Sequence, residues 1–110
     1  MKTVSSILST ALSIALLTST FFTNNAFADD AAAGKQKAAM CASCHGQNGL
    51  SSSPIFPNLA CQKASYLAKQ LQDFKSGARN DPMMVSFAKS LSEDDIENLS
   101  TYYNQLPCSG

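Results

Sequence analysis

The sequence is poor in the features that announce most binding chemistries. It has no basic run or stripe, and Lys plus Arg equals Asp plus Glu at 8 each, so nothing in it points to nucleic acid. If the leader described below is removed, Lys2 goes with it and acids exceed bases by a single charge. No segment alternates polar and apolar residues as a half-buried strand would. There is 1 histidine, His45. No internal repeat or low-complexity block is visible, which leaves a single domain.

There is also no apolar run of full membrane-span length. The longest, from about Ile7 to Phe22, is interrupted by Ser and Thr and falls short of the ~20 residues a span needs. Lys2 precedes it and Ala26-Phe27-Ala28 closes it, the pattern of a secretory leader with cleavage after Ala28. No cysteine sits at the cut, so no lipid anchor is expected. Residues 1–28 thus read as a signal peptide and 29–110 as the exported domain, in an oxidising compartment where disulfides persist. A domain this short buries a small core and often needs a disulfide, metal or cofactor to complete it.

Three helices are expected. The first runs from Ala31 to Met40, with Gly34 inside it at a propensity cost of ~1 kcal/mol, which suits a close crossing by another helix. Tyr66, Leu67, Gln70, Leu71 and Phe74 form one face of a second helix over Gln62–Lys75, stopped by Gly77. Ser92 and Asp95 read as a capping box opening the third, with Leu91 and Ile96 as its staple and Pro107 marking its end. Ile96, Leu99, Tyr103 and Leu106 share its apolar face. Two long loops join these helices. Gly46–Ala60 carries Ile55, Phe56 and Leu59 as apolar anchors, and Ala78–Ser90 carries Pro82 and the Met83–Met84 pair. Three helices with two long loops make an all-α domain with room for something apolar in its middle.

The chemistry sits in "CASCHG", Cys41 to Gly46. A redox dithiol of the thioredoxin type needs a strand–helix setting that this chain lacks. A structural zinc site needs four ligands, commonly from paired C-x2-C units, and only Cys61, Cys108 and His45 remain to supply them. Neither reading explains why the histidine follows the second cysteine. Covalent haem attachment does: two thiols at this spacing meet the two vinyl groups, and the next imidazole comes under the iron.

With "GKQKAAMCASCHGQNG", "PIFPNLACQKASYLAKQLQDFKSGAR" and "NDPMMVSFAKSLSEDDIENLSTYY", the chain resembles the small bacterial class I cytochromes c. It is similar to the single-haem c-553 type and to one half of the di-haem periplasmic cytochromes c. The resemblance covers most of residues 34–103 and implies the cytochrome c fold, three main helices and two long loops wrapped around one haem c with its iron. It departs at one position: the family usually reads "LAGQ" where this chain has "LACQ", so Cys61 replaces a glycine.

The resemblance also implies roles. Cys41 and Cys44 carry the thioethers and His45 is one axial ligand. Met83 and Met84 both lie on the distal loop, and the family's spacing to Leu91 selects Met84, with Met83 as second choice. Pro57 would accept the ring N–H of His45 through its carbonyl. Arg79 would pair with a haem propionate. Tyr66, Leu67, Leu71, Phe74 and Phe87 would line the pocket, and Gly34 would meet Tyr103 at the helix crossing. Cys61 and Cys108 lie at helix ends that approach each other in this fold, so a disulfide is implied, worth ~4 kcal/mol in the chain-entropy model. Two free thiols or an intermolecular bond remain the alternatives. The expected function is periplasmic one-electron transfer, not catalysis, by a monomer that meets an upstream reductase and a downstream oxidase or reductase transiently. The alternative is a haem enzyme or gas sensor with an open or displaceable sixth ligand.

Overall fold

The computed structural model describes residues 26–110, so all but the last residues of the expected signal peptide lie outside the described residues. The described residues form five helices and no strand: α1 (Ala26–Ala38), α2 (Ala42–His45), α3 (Ala64–Ser76), α4 (Pro82–Lys89) and α5 (Glu93–Gln105). None is long and apolar enough to cross a membrane.

The framework is the crossing of α1 with α5, flanked by α3. Gly34 makes the crossing close. A Cβ there would collide with the Asn98 carbonyl oxygen and come within 2.7 Å of Tyr102 Cβ. The partner expected from the sequence was Tyr103, but Tyr102 takes that place. Tyr103 turns the other way, with its ring against Gly49. The reason is helical geometry: adjacent residues leave a helix about 100° apart, so α5 offers one tyrosine to α1 and the other to the loop.

α5 begins as its sequence demands. The Ser92 hydroxyl accepts from Asp95 N at 3.0 Å, and Asp95 Oδ2 accepts from Ser92 N at 3.0 Å. Leu91 and Ile96 are both buried beside this cap. Ala38, Leu67, Leu91, Ile96, Leu99 and Tyr103 form the core cluster, with Met40, Leu59 and Leu71 packed against it. Among the described residues, the large side chains that are completely enclosed are Ile96 and Leu99. The helices alone therefore enclose little.

Two expectations about elements need correction. α1 does not run on to Met40. It stops at Ala38, a turn follows in which Cys41 N donates to Ala38 O at 2.9 Å, and the motif forms its own helical turn, α2. The segment Ala78–Ser90 is not all loop, because residues Pro82–Lys89 form α4. Asp81 caps it, its carboxylate accepting from Met83 N and Met84 N at 3.0 Å each, and Pro82 occupies the first turn, where its missing N–H costs nothing. Asp-Pro was a helix start that looked like a turn.

Candidate haem site

The attachment motif is built from one backbone turn. His45 N donates to Cys41 O at 2.9 Å and Gly46 N to Ala42 O at 2.9 Å. Gly46 then leaves the helix at φ 85°, and a Cβ there would run into the Leu50 carbonyl. The loop beyond folds back on the motif. Ser51 Oγ donates to Cys44 O at 3.2 Å, and Leu59 N and Ala60 N both donate to Gly49 O, at 2.8 and 3.0 Å. Asn58 Oδ1 accepts from Ser51 N at 2.7 Å and pins the loop's two arms together.

This fold-back aims the histidine. His45 is buried, and its Nδ1 lies 2.8 Å from the Pro57 carbonyl oxygen, to which it donates when protonated there. That bond fixes the ring and leaves Nε2 to face the cavity with its lone pair. Phe56 packs near the imidazole, ring centroids 6.2 Å apart.

Cys41, Cys44 and His45 all open on one cavity of about 630 Å³. Its walls come from every element but α1: Leu67, Leu71 and Phe74 on α3, Met84 and Phe87 on α4, Leu99 and Tyr103 on α5. Tyr66, Pro57 and Arg79 line it as well. Met83 and Met84 both border it, Met84 half-buried and Met83 52% exposed. Of the expected loop anchors, Leu59 packs on the core and Phe56 is half-buried, but Ile55 is 77% exposed and borders the cavity instead of filling it.

The Cys41 thiol is pushed up from its ordinary value of 9.0 mainly by burial. Cys41 packs against the core cluster that contains Tyr103, and Tyr103 is itself raised, first by burial and then by Cys41. This contact of Tyr103 with the motif was not foreseen. Its signal was the single-residue step between Tyr102 and Tyr103, which puts them on different sides of α5. Arg79 sits at the rim without a carboxylate partner among the described residues. Its Nη1 donates to Gln70 Oε1 at 2.7 Å, and its guanidinium lies 4.5 Å from the Phe74 ring centroid. Cys61 and Cys108 are joined as a disulfide with Cα atoms 5.0 Å apart.

The residues present fit a haem and not the alternatives. The cavity is the size of a cofactor site, mostly apolar, and has the two thiols and one oriented imidazole on a single wall. Cys61 and Cys108 are bonded to each other, which leaves Cys41, Cys44 and His45 one ligand short of a structural zinc site's four. The helical setting removes the thioredoxin-like reading.

Known proteins share this pattern. A family model described as Cytochrome c matches residues 31–107. Cytochrome c4 of Pseudomonas aeruginosa is 45% identical over 76 residues, covering 69% of this chain and 38% of that protein. Cytochrome c-554(548) of Halomonas halodenitrificans is 40% identical over 80 residues, covering 70% of this chain and 96% of that protein. The crystal structure of reduced recombinant cytochrome c4 from Pseudomonas stutzeri matches with a TM-score of 0.66 at 37% identity, covering 73% of this chain and 50% of that one. The chain thus spans half or less of the cytochrome c4 proteins and nearly the whole of c-554(548). The chain therefore belongs to the cytochrome c family, whose domain carries a covalent haem c with its iron, and Cys41 and Cys44 lie where the haem-binding motif is expected.

Proposed function

We propose that this protein is a carrier of single electrons whose haem iron is held between His45 and Met84. The observation that carries the reading is the pairing of an oriented His45 with a thioether on the first turn of α4, both bordering one cavity. The bound haem supplies an iron that takes up and returns one electron. The chain's residues fix its ligands and its surroundings. Pro57 holds the imidazole in one orientation. Asp81 holds the first turn of α4 by both methionine amides, so the thioether is presented by a capped helix and not by a free loop. Half-buried Met84 supports the choice over Met83, which is the more exposed. A thioether is a soft, neutral donor that favours Fe(II) and raises the reduction potential. Were His45 and Met84 both to hold the iron, no position on it would be left for a substrate, and we therefore assign no catalytic residue. Arg79, which has no carboxylate partner among the described residues, would meet a propionate in this reading.

Residues 1–28 act in this reading as a cleaved leader that delivers residues 29–110 to the periplasm. There the monomer meets a reductase upstream and a terminal oxidase or reductase downstream, through small transient contacts at the low end of interface sizes.

The test is an optical spectrum of the exported holoprotein, oxidised and reduced, with and without carbon monoxide. A low-spin spectrum with a weak sulfur-to-iron band, lost in Met84→Ala but kept in Met83→Ala, and no response to carbon monoxide are expected. A wild-type spectrum that shifts with carbon monoxide would replace the carrier by the open-site enzyme or sensor.

A further inference from the structure

Cys61 is the one non-glycine residue with positive φ among the described residues, at 55°. An L-residue in this left-handed region crowds its Cβ against the following carbonyl, while glycine does not. Such a conformation persists only where its surroundings over-determine it.

Here they do. Cys61 N donates to the Tyr103 carbonyl at 2.8 Å, and the Gln62 carbonyl accepts from Asn104 Nδ2 at 2.9 Å, so the segment is stitched to the end of α5. Leu59 N and Ala60 N hold it to Gly49 on the other side. The Cys61 side chain is bonded to Cys108, just past Pro107. The same short segment begins at Pro57, whose carbonyl holds His45, and Leu59, Gln62 and Tyr103 all border the haem cavity.

We propose that the Cys61–Cys108 disulfide is a positioning device for the axial histidine. It holds residue 61 left-handed, and through residues 57–62 it keeps the Pro57 carbonyl on His45 Nδ1. The inference rests on the haem-carrier reading above. Without the bond, a non-glycine residue at 61 relaxes toward negative φ, its N–H leaves the Tyr103 carbonyl, and the segment carrying Pro57 shifts. A weaker hydrogen bond from His45 makes the imidazole less basic, which favours Fe(III) less and moves the potential upward. A bond that only pinned the C-terminus would change stability and leave His45 alone.

The two are separated by keeping the backbone conformation while removing the bond. Holoproteins of the wild type, Cys61→Ala with Cys108→Ser, and Cys61→Gly with Cys108→Ser are compared by redox titration and by the proton resonances of the His45 ring in the reduced state. The alanine double variant is expected to show a raised potential and displaced His45 resonances. The glycine double variant is expected to match the wild type in both, although it melts lower. Unchanged potentials in both variants, equal shifts in both, or a lowered potential in the alanine variant would each overturn the proposal. Carbon monoxide binding by the wild type would sink the carrier reading and leave this comparison of variants legible.

Discussion

The two sides of α5 are built differently. Toward α1 the packing is close: Gly34 lets the helices touch backbone to side chain, with Asn98 and Tyr102 against it. Toward α4 the same helix faces a cavity whose walls include Ile55, Tyr66, Met83 and Phe87, all large and all substantially exposed. One side is finished by the chain and the other by a cofactor. Apolar side chains left this open around a cavity are stabilising only when something apolar covers them. In this small domain the haem is therefore both the functional group and the missing half of the core.

The largest effect should come from removing that half. Replacing Cys41 and Cys44 together by alanine is expected to abolish covalent haem and with it the cooperative fold. Circular dichroism would then show lost helicity, and the purified chain would be colourless after haem extraction. A cofactor-free chain that melted cooperatively with wild-type helicity would show that the α1 side suffices, and would break the comparison.

What could be read in the sequence followed the same division. The capping box of α5, its apolar face and the close approach at Gly34 are local or periodic features, and the sequence states them directly. The motif at Cys41–His45 was legible because its chemistry fixes its spacing. The α4 side was read less well. Asp81-Pro82 was taken for loop, although aspartate before proline also opens helices, and only the packing against α3 decides between the two. Ile55 was taken for an anchor because it is apolar, but what it anchors to is not in the chain. Tyr103 was misassigned by one helical step, an error that α5 alone could not reveal because Tyr102 and Tyr103 are chemically alike.

A smaller effect should follow from filling the finished side. Gly34→Ala places a methyl against the Asn98 carbonyl and Tyr102 Cβ, both parts of a helix that cannot yield alone. Overpacking of this kind costs ~1–3 kcal/mol, against a helix-propensity gain for alanine of about 1 kcal/mol, so net destabilisation is expected. Thermal melting of the holoprotein would measure it. Because the insertion is on the far side of α5 from the cavity, the haem spectrum should stay that of the wild type. A spectral change would mean that α5 transmits strain and that the two sides are not independent.

The smallest effect lies at the cap the two sides share. Asp95 is held well below its ordinary value of 3.8, first by the Ser92 backbone N–H and then by Lys37, whose Nζ lies 3.0 Å from Oδ1. A depressed carboxylate contributes stability that is fully present above the unfolded value and lost as the pH falls through the folded one. Ser92→Ala removes the hydroxyl that accepts from Asp95 N and should cost about 1 kcal/mol at neutral pH. Asp95→Asn should also lower the melting temperature at neutral pH. The gap between it and the wild type should begin to narrow as the pH falls toward 3.8, where the unfolded chain's carboxyl takes up its proton, and close once the pH has passed below the lowered folded value. Measuring the gap as a difference between two holoproteins removes the acid response of the haem ligands, which both share. A gap that stayed constant down to the acid transition would mean that Asp95 stabilises α5 through its shape and hydrogen bonds, with its charge contributing nothing. The cap would then belong to the packed side of the molecule alone.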